Sequence, residues 1–352
     1  MSIFENASFD NHESVHAFFD PKTKLRAFIA VHSTYLGPSA GGCRLWSYDV
    51  SDDALTDVLR LSRGMSYKNA MAGLNLGGGK AVVMRPEGPE GKEDGNFDRD
   101  ALFTSFGRAL DNLNGHYYTA EDVGMSPDDM RVIRAQTKYV AGLDEGEAAS
   151  GDPSPVTADG VFRSIVLAVR KKMGCGVEGL SVAVQGLGHV GYDVCARLHG
   201  AGANLIVTDI NQYVLKKARE QFGAKVVDLD AIYDADVDIF SPCALGAILN
   251  QETLPRINAK IIAGAANNQL SVPAIGQKLQ EKGILYCPDY VVNAGGIINI
   301  AGEIEGNYSK AWVEEKLSGV QKTLEDILDL SARTGRTADV IADEMAQARI
   351  GR

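Results

Sequence analysis

The sequence has few cysteines, no long apolar run and no excess of basic residues, and each shortage excludes a class of protein. Its five cysteines are scattered and form no CxxC pair, so we expect neither a metal site nor disulfides, and a reducing cytoplasm suits them. The most apolar stretches fall short of the roughly twenty residues that span a bilayer. The first residues, MSIFENASFDNHES, are acidic where a secretory signal needs a basic start. We therefore expect a cytoplasmic protein without membrane contact.

The net charge and the length of the chain exclude further classes of protein. The 46 acidic and 35 basic residues leave a formal charge of -11, which repels phosphate backbones and excludes nucleic acid as an expected partner. A composition of 45% hydrophobic and 23% charged residues is typical of a soluble globular protein. The 352 residues exceed what one hydrophobic core organises, so we predict two domains with a cleft between them.

The first part of the chain mixes strands and helices. A β-branched run predicts a strand over residues 24–33, and helical spacing predicts a helix over residues 52–68 with Ser51 as its N-cap. The glycine-rich stretch GLNLGGGK predicts a loop that ends at Lys80, before the short strand AVVM. Residues 1–145 are therefore predicted to form a mixed α/β domain for substrate binding and oligomerisation.

The second part alternates strands and helices, which is the pattern of a doubly wound parallel sheet. We predict a Rossmann-type dinucleotide-binding domain over residues 146–329. Helices over about residues 330–352 are predicted to pack back on the first domain. The fold class is thus α/β, with two domains.

A dinucleotide-binding turn, GxGxxG, follows the predicted strand that ends at Gln185 and opens a helix. Gly186 permits the tight turn, Gly188 lets the backbone approach a pyrophosphate, and Gly191 allows close packing of helix and strand. The alternative is a glycine turn in a nucleotide-free fold. Eighteen residues after Gly191, Asp209 closes the next strand, where it can bind ribose hydroxyls and repel a 2′-phosphate. The sequence therefore favours NAD over NADP.

Two lysines stand near the three consecutive glycines, Lys68 on the predicted helix and Lys80 directly after the glycines. A solvated surface role is the ordinary interpretation of any one lysine. The surrounding motifs favour another: RGMSYKNAMAGLNLGGGKAVV resembles a signature of the amino acid dehydrogenase family, which includes glutamate, leucine, phenylalanine and valine dehydrogenases. Further segments resemble family motifs in family order: GPSAGGCR, TAEDVGMSPDDM, GDPSPVTADGV, AGAANNQL and PDYVVNAGGIIN. The resemblance covers nearly the whole chain and is closest to the leucine dehydrogenases.

The resemblance implies reversible, NAD-dependent oxidative deamination of an L-amino acid to a 2-oxo acid and ammonium. It implies that Lys80 activates water and that Asp122 moves protons to and from the amino group. Lys68 would bind the substrate carboxylate. The resemblance also implies that the substrate is contacted by Gly41, Gly42, Met65 and Asn268. It implies that the cofactor is contacted by Thr157, Asn267 and Asn293.

The resemblance also bears on the substrate side chain. Ala40 stands where glutamate dehydrogenases typically have a lysine for the side-chain carboxylate, so glutamate is disfavoured. Ala120, Ile297 and Ile300 match positions that line the family's side-chain pocket, which favours a branched aliphatic amino acid. For the two isoleucines, helix core is an equal alternative. Leucine, valine, isoleucine and phenylalanine all stay open as preferred substrates.

Two other functions are less consistent with the sequence. A hydroxy-acid dehydrogenase would use a histidine as its acid–base group, and none of the six histidines lies in such a setting. A catalytically inactive NAD-binding protein would have lost Lys68, Lys80 or Asp122, and all three are present. The family resemblance further implies a homo-oligomer, an octamer or a dimer.

Overall fold

The computed structural model describes residues 2–87, 97–143 and 151–352. The described chain divides into two compact units. The first contains Met1–Asp152, Asn299–Trp312 and Ala346–Arg352, and the second contains Pro153–Ile298 and Val313–Met345. The boundary predicted between residues 145 and 146 lies outside the described residues. In the part that is described, no helix is both long and apolar enough to cross a membrane.

The first unit is built on a five-stranded sheet with the order β1-β2-β4-β3-β5. β1 and β2 run antiparallel to their neighbours, whereas β3 is parallel to both β4 and β5. Its elements are β1 (Ser14–Asp20), β2 (Leu25–Ser33), β3 (Ser39–Trp46), α1 (Ser51–Met71), β4 (Gly77–Met84), α2 (Arg99–Asp111), β5 (Tyr117–Glu121) and α3 (Pro127–Arg134).

The strand predicted over residues 24–33 and the helix predicted over residues 52–68 are both present. The predicted cap of that helix is wrong, because Val50 is the N-cap and Ser51 already lies in the first turn. The Ser51 hydroxyl instead accepts a hydrogen bond from Arg26 Nη2 at 2.8 Å. A local capping pattern could not anticipate a partner 25 residues away.

The predicted glycine loop before Lys80 is also wrong. Gly77, Gly78, Gly79 and Lys80 all belong to β4, which is buried along its whole length. A Cβ on Gly78 would lie 2.0 Å from the backbone nitrogen of Ser66 in α1, and one on Gly77 would lie 2.0 Å from the Ser33 carbonyl oxygen. The glycines are therefore in the strand because the helix and the neighbouring chain leave no space for side chains.

The second unit contains a six-stranded sheet in which every pairing is parallel. Its order, β8-β7-β6-β9-β10-β11, is that of a Rossmann fold, with a topological switch between β6 and β9. The α/β fold class predicted from the sequence is confirmed. The strands are β6 (Ser181–Gln185), β7 (Asn204–Thr208), β8 (Lys225–Val226), β9 (Ile239–Pro242), β10 (Ile261–Ile262) and β11 (Leu285–Tyr286).

Eight α-helices are described from residue 151 to the end of the chain. They are α4 (Ser154–Met173), α5 (His189–Gly200), α6 (Gln212–Phe222), α7 (Ala274–Glu281), α8 (Asp289–Val292), α9 (Gly295–Glu305), α10 (Lys310–Thr334) and α11 (Ala338–Arg349). Of the segment predicted to pack back on the first domain, residues 346–352 belong to the first unit and residues 330–345 to the second.

Candidate active site

Lys80 and Asp122 form an ion pair on the first sheet, in which β3 lies between β4 and β5. Lys80 lies in β4, and Asp122 follows directly after β5. Lys80 Nζ lies 2.7 Å from Asp122 Oδ2, and only 6% of the lysine is exposed. A charge this deeply buried must be paired, and a carboxylate at hydrogen-bonding distance satisfies that requirement. The pair brings a proton donor and a proton acceptor into direct contact.

Gly42 in β3 makes room for this pair. A Cβ on Gly42 would lie 2.7 Å from Asp122 Cβ and 3.2 Å from Lys80 Nζ. Gly41 has a corresponding role toward α1, because a Cβ there would lie 3.0 Å from Met65 Cγ and 2.0 Å from the Gly79 carbonyl oxygen. The paired glycines thus allow β3 to approach both lysine-bearing elements, and α1 also carries the half-buried Lys68.

Arg44 also contacts Asp122, and the sequence analysis assigned it no role. Its Nε lies 3.4 Å from Asp122 Oδ2, the same oxygen that Lys80 contacts. Burial tends to raise the pKa of Asp122, but the charges of Lys80 and Arg44 outweigh burial and hold that pKa below its ordinary value. Asp122 is therefore a carboxylate at neutral pH. Arg44 lies within the GPSAGGCR motif, and its position beside the paired glycines was the only signal for it.

The predicted side-chain pocket residues of the first unit lie near one another. Ala120 is the partner of Gly42 in the β3–β5 pairing. A Cβ on Gly142 would lie 3.8 Å from Ala120 Cβ and 3.7 Å from Ile300 Cγ1, so both contact the same glycine. Ala40, two residues before Gly42, is buried. Ala120 and Ile300 thus lie near one another, and the Glu303 carboxylate also lies close by, because it accepts a hydrogen bond from the Gly142 backbone at 2.7 Å.

The dinucleotide-binding turn has the predicted geometry in the second unit. Gly186 has φ of 93°, a left-handed conformation that favours glycine. A Cβ on Gly191 would lie 2.0 Å from the Gly186 carbonyl oxygen, whereas no atom lies within 4 Å of a Cβ on Gly188. Asp209 Oδ2 accepts a hydrogen bond from the Leu187 backbone at 2.6 Å. The turn thus leaves open space beside Gly188 at the N-terminus of α5.

Three asparagines lie together in the second unit, beyond the end of β10. Asn293 Nδ2 donates to Asn267 Oδ1 at 2.8 Å and to the Ala265 carbonyl at 3.0 Å. Asn268 has φ of 52°, and its carbonyl accepts a hydrogen bond from the Ala247 backbone at 2.7 Å. The contact between Asn268 and Ala247 joins the loops that follow β9 and β10, two adjacent strands of which β9 lies next to β6, at the carboxyl edge of the sheet.

Thr157 and Ile297 are the remaining predicted site residues of the second unit. Thr157 lies in α4, where its Oγ1 donates to the Pro153 carbonyl and would lie 3.3 Å from a Cβ on Gly296. Ile297, in α9, is buried. The structure therefore gives Thr157 a position beside the start of α9.

Comparison with known proteins identifies the family. Residues 12–139 match the Glu/Leu/Phe/Val dehydrogenase dimerisation domain, and residues 207–347 match the Glutamate/Leucine/Phenylalanine/Valine dehydrogenase domain. The chain belongs to this dehydrogenase family. The resemblance inferred from the sequence motifs is thus confirmed.

Individual relatives agree with the family match. The chain is 46% identical to leucine dehydrogenase of Bacillus subtilis (strain 168) over 353 residues, which cover 100% of this chain and 95% of that protein. It is 42% identical to phenylalanine dehydrogenase of Lysinibacillus sphaericus, covering 92% of this chain and 84% of that one. The crystal structure of L-tryptophan dehydrogenase from Nostoc punctiforme aligns with a TM-score of 0.81 at 42% identity, covering 96% of each chain. Members of one family therefore differ in the amino acid named for them.

Proposed function

We propose that this chain catalyses the NAD-dependent, reversible oxidative deamination of a branched aliphatic L-amino acid, as a leucine dehydrogenase does. The observation that carries the proposal is the 2.7 Å contact between the buried Lys80 amine and the Asp122 carboxylate. Such a pair can move protons at two atoms of one substrate, and oxidative deamination requires proton transfer at both the nitrogen and the attacking water. Family membership supports the same reaction.

Lys68 is the proposed partner of the substrate α-carboxylate, with Gly41, Gly42 and Met65 around it. A lysine ammonium is a compact point charge and binds a carboxylate without fixing its rotation. Met65 and Lys68 lie on the same helix, α1, and Met65 contacts Gly41. We infer that α1 and β3 together hold the amino acid by its α-carboxylate.

Asp122 would accept one proton from the substrate ammonium group and so free the nitrogen lone pair. When bound, NAD supplies the acceptor for the hydride of Cα. Lys80, once it has released a proton to solvent, would then take a proton from the water that attacks the imine carbon, which forms a carbinolamine. Asp122 returns its proton to the nitrogen, and the carbon–nitrogen bond breaks. The carbinolamine hydroxyl gives its proton to the departing ammonia, which leaves as ammonium, and the 2-oxo acid remains. The sum is amino acid, NAD and water converted to 2-oxo acid, ammonium, NADH and one proton.

The residues of the second unit fit a dinucleotide. The open space at Gly188, next to the N-terminus of α5, suits a pyrophosphate, because helix N-termini bind anions through their free backbone N–H groups. Asp209 would bind the adenosine ribose hydroxyls, which favours NAD over NADP. Thr157, Asn267 and Asn293 are proposed to contact the nicotinamide end.

Asn268 is the proposed contact of the second unit with the amino acid. Its left-handed backbone directs the loop after β10 and is tied by its carbonyl to Ala247. The strand β10 lies on the β9 side of the switch point, where sheets of this type bind ligands.

The amino acid side chain is proposed to lie against Ala120, Ile300 and Ile297, with Ala40 leaving extra space. An apolar surrounding would leave a side-chain carboxylate unpaired, which disfavours glutamate. One methylene changes binding by only about 1 to 3 kcal/mol, so valine, isoleucine and phenylalanine compete with leucine. The names of the relatives, leucine, phenylalanine and tryptophan dehydrogenases, cover the same range.

The dimerisation-domain match supports a homo-oligomer, for which we propose an octamer or a dimer. The five cysteines form no disulfide, which suits the reducing cytoplasm that we propose as its location. The proposed partners are small molecules, namely the amino acid, the 2-oxo acid and ammonium.

A panel of initial rates tests the proposal. L-Leucine, valine, isoleucine, phenylalanine, tryptophan and glutamate are each assayed for absorbance of reduced cofactor with NAD and with NADP. We expect the fastest NADH formation with a branched aliphatic substrate and no useful rate with glutamate. Lys80→Ala should abolish turnover and retain NAD binding. No reaction with any amino acid, or full activity in Lys80→Ala, would refute the proposed reaction.

A further inference from the structure

Arg44 is held between two acidic side chains on different elements of the first unit. It lies in β3, and 24% of its side chain is exposed. On one side its Nε lies 3.4 Å from Asp122 Oδ2, and on the other its Nη1 lies 2.9 Å from Asp57 Oδ2. Because a guanidinium is planar and rigid, contacts at two of its nitrogens fix its orientation.

Asp57 is itself held in place. It lies in α1, and its Oδ2 accepts a hydrogen bond from the Tyr48 hydroxyl at 2.5 Å as well as from Arg44. Tyr48, Asp57, Arg44, Asp122 and Lys80 therefore form a continuous chain of polar contacts. The chain connects α1, which carries Lys68, to the pair that moves protons.

We propose that Arg44 is a positioning residue for the deamination: it fixes the Asp122 carboxylate against Lys80 and keeps it in the charged form that accepts the proton of the substrate ammonium. This inference rests on the proposed function and adds a residue to it. Arg44 need not touch the substrate, because it acts through the orientation and charge of Asp122. The proton received by Asp122 comes from the substrate nitrogen and returns to it.

The charges around Asp122 indicate why a second cation is needed to keep its carboxyl group ionised. Burial opposes ionisation of the carboxyl group and is the largest influence on it, and Lys80 and Arg44 are the next largest, both favouring the charged form. Without Arg44, only Lys80 and the Val123 backbone N–H, among the groups that lower the pKa of Asp122, would remain to offset the cost of burial. The titratable and charged groups that face this cluster are Lys80, Arg44, Asp57, Tyr48, Tyr117 and the Cys43 thiol.

Three variants separate charge from simple packing. Arg44→Gln removes the charge, Arg44→Lys keeps the charge and loses the planar fork, and Asp57→Asn releases the outer end of Arg44. Arg60→Gln is the matched control, because Arg60 is an exposed arginine on α1 whose loss changes the net charge equally. For each, kcat and KM for the amino acid are measured from about pH 5 to pH 11 at saturating NAD, together with the thermal midpoint.

We expect Arg44→Gln to lower kcat about tenfold or more, to change KM less than about threefold, and to move the acid limb of the kcat profile upward by about one pH unit. The limb moves up because loss of a positive charge makes the cluster hold protons more tightly. Arg44→Lys should keep the limb in its original position and recover part of kcat. Asp57→Asn should lower kcat less than Arg44→Gln, and Arg60→Gln should match the original protein.

An unchanged kcat and acid limb in Arg44→Gln would overturn the proposal. So would equal losses in Arg44→Gln and Arg44→Lys that follow the thermal midpoint and leave the limb unmoved, since this is the result of a merely structural arginine. If Arg44→Gln fails to fold, the proposal is still tested by the position of the acid limb of the kcat profile in Arg44→Lys and by the kcat of Asp57→Asn. Failure of the proposed function is seen separately, as absence of NADH formation by the unsubstituted protein.

Discussion

Replacing Gly42 with alanine should stop catalysis by displacing the Lys80–Asp122 pair. The new Cβ would lie 2.7 Å from Asp122 Cβ, 3.2 Å from the Glu121 carbonyl oxygen and 3.2 Å from Lys80 Nζ. An ordinary carbon–carbon contact needs about 3.5 to 4.0 Å, so Asp122 must retreat by roughly 1 Å. Because Cβ is fixed to the backbone, this movement cannot be absorbed by a change of rotamer.

A displacement of about 1 Å can cost a factor of 10² in rate, and overpacking of this kind costs about 1 to 3 kcal/mol in stability. We therefore expect Gly42→Ala to lower kcat at least about 100-fold and to lower the thermal midpoint by a few degrees. NAD binding, measured by quenching of tryptophan fluorescence, should persist, because the dinucleotide-binding turn belongs to the other unit.

Gly64→Ala is the matched control. Gly64 lies in α1, and no atom lies within 4 Å of where its Cβ would be. Alanine is preferred to glycine in a helix by about 1 kcal/mol, so this variant should keep its kcat and gain stability. If Gly42→Ala keeps kcat within about threefold of the original while Gly64→Ala behaves as expected, the close fit at Gly42 does not position the catalytic pair.

Three further predictions concern stability and the cofactor. Burial, followed by the charge of Arg352, lowers the pKa of His32 to about 3. The unfolded chain, with a histidine pKa near 6.5, takes up a proton that the folded chain refuses, so at pH 5 the protein should have lost about 2 kcal/mol relative to pH 8, and His32→Gln should lose correspondingly less in urea unfolding. Asp209→Ser removes the acceptor of the Leu187 hydrogen bond and the proposed ribose contact, and should raise KM for NAD about tenfold and lower the NAD to NADP preference; an unchanged preference would contradict the assignment. Ala247 has φ of 56°, so Ala247→Gly should raise the thermal midpoint by relieving strain of up to about 1 kcal/mol, and a lower midpoint would show that strain does not dominate there.

The spacing of apolar residues along the sequence predicted the fold correctly where the local pattern agrees with the packing of the folded chain. The second unit was predicted as a parallel sheet from its alternating elements, and the order β8-β7-β6-β9-β10-β11 agrees with that prediction. The prediction succeeded because buried parallel strands are short continuous apolar runs, and each is separated from the next by a helix or a turn.

The same method failed at the three glycines before Lys80. Glycine weakens an isolated strand, so a local pattern interprets GGG as a loop. The approach of the Ser66 backbone to within 2.0 Å of a Gly78 Cβ makes glycine necessary at that position of β4. That distance depends on how α1 packs against the sheet, which no window of neighbouring residues contains.

Some residues of the candidate site were predicted from the sequence and others were not. Lys80 and Asp122 were predicted because each lies in a recognisable motif. Arg44, Asp57 and Tyr48 were not assigned roles, because their importance arises from contacts between β3, α1 and the turn that joins them. A sequence motif identifies residues by their neighbours along the chain. The polar chain from Tyr48 to Lys80 depends on contacts between elements that come together only in the folded protein.

The polar chain from Tyr48 to Lys80 also explains how the buried Lys80 ammonium is accommodated within the sheet. Lys80 and Arg44 contribute two positive charges, and Asp122 and Asp57 contribute two negative ones, so the cluster is neutral as a whole. Removing Asp122 would leave the buried Lys80 charge uncompensated, which is far costlier than losing one contact. A cationic substrate ammonium adds a fifth charge, and passing one proton from it to Asp122 neutralises both groups. Protonated Asp122 leaves Lys80 and Arg44 with only Asp57 as a counter-charge, so the cations that keep Asp122 ionised in the empty site also help to return its proton to the substrate nitrogen later in the proposed reaction.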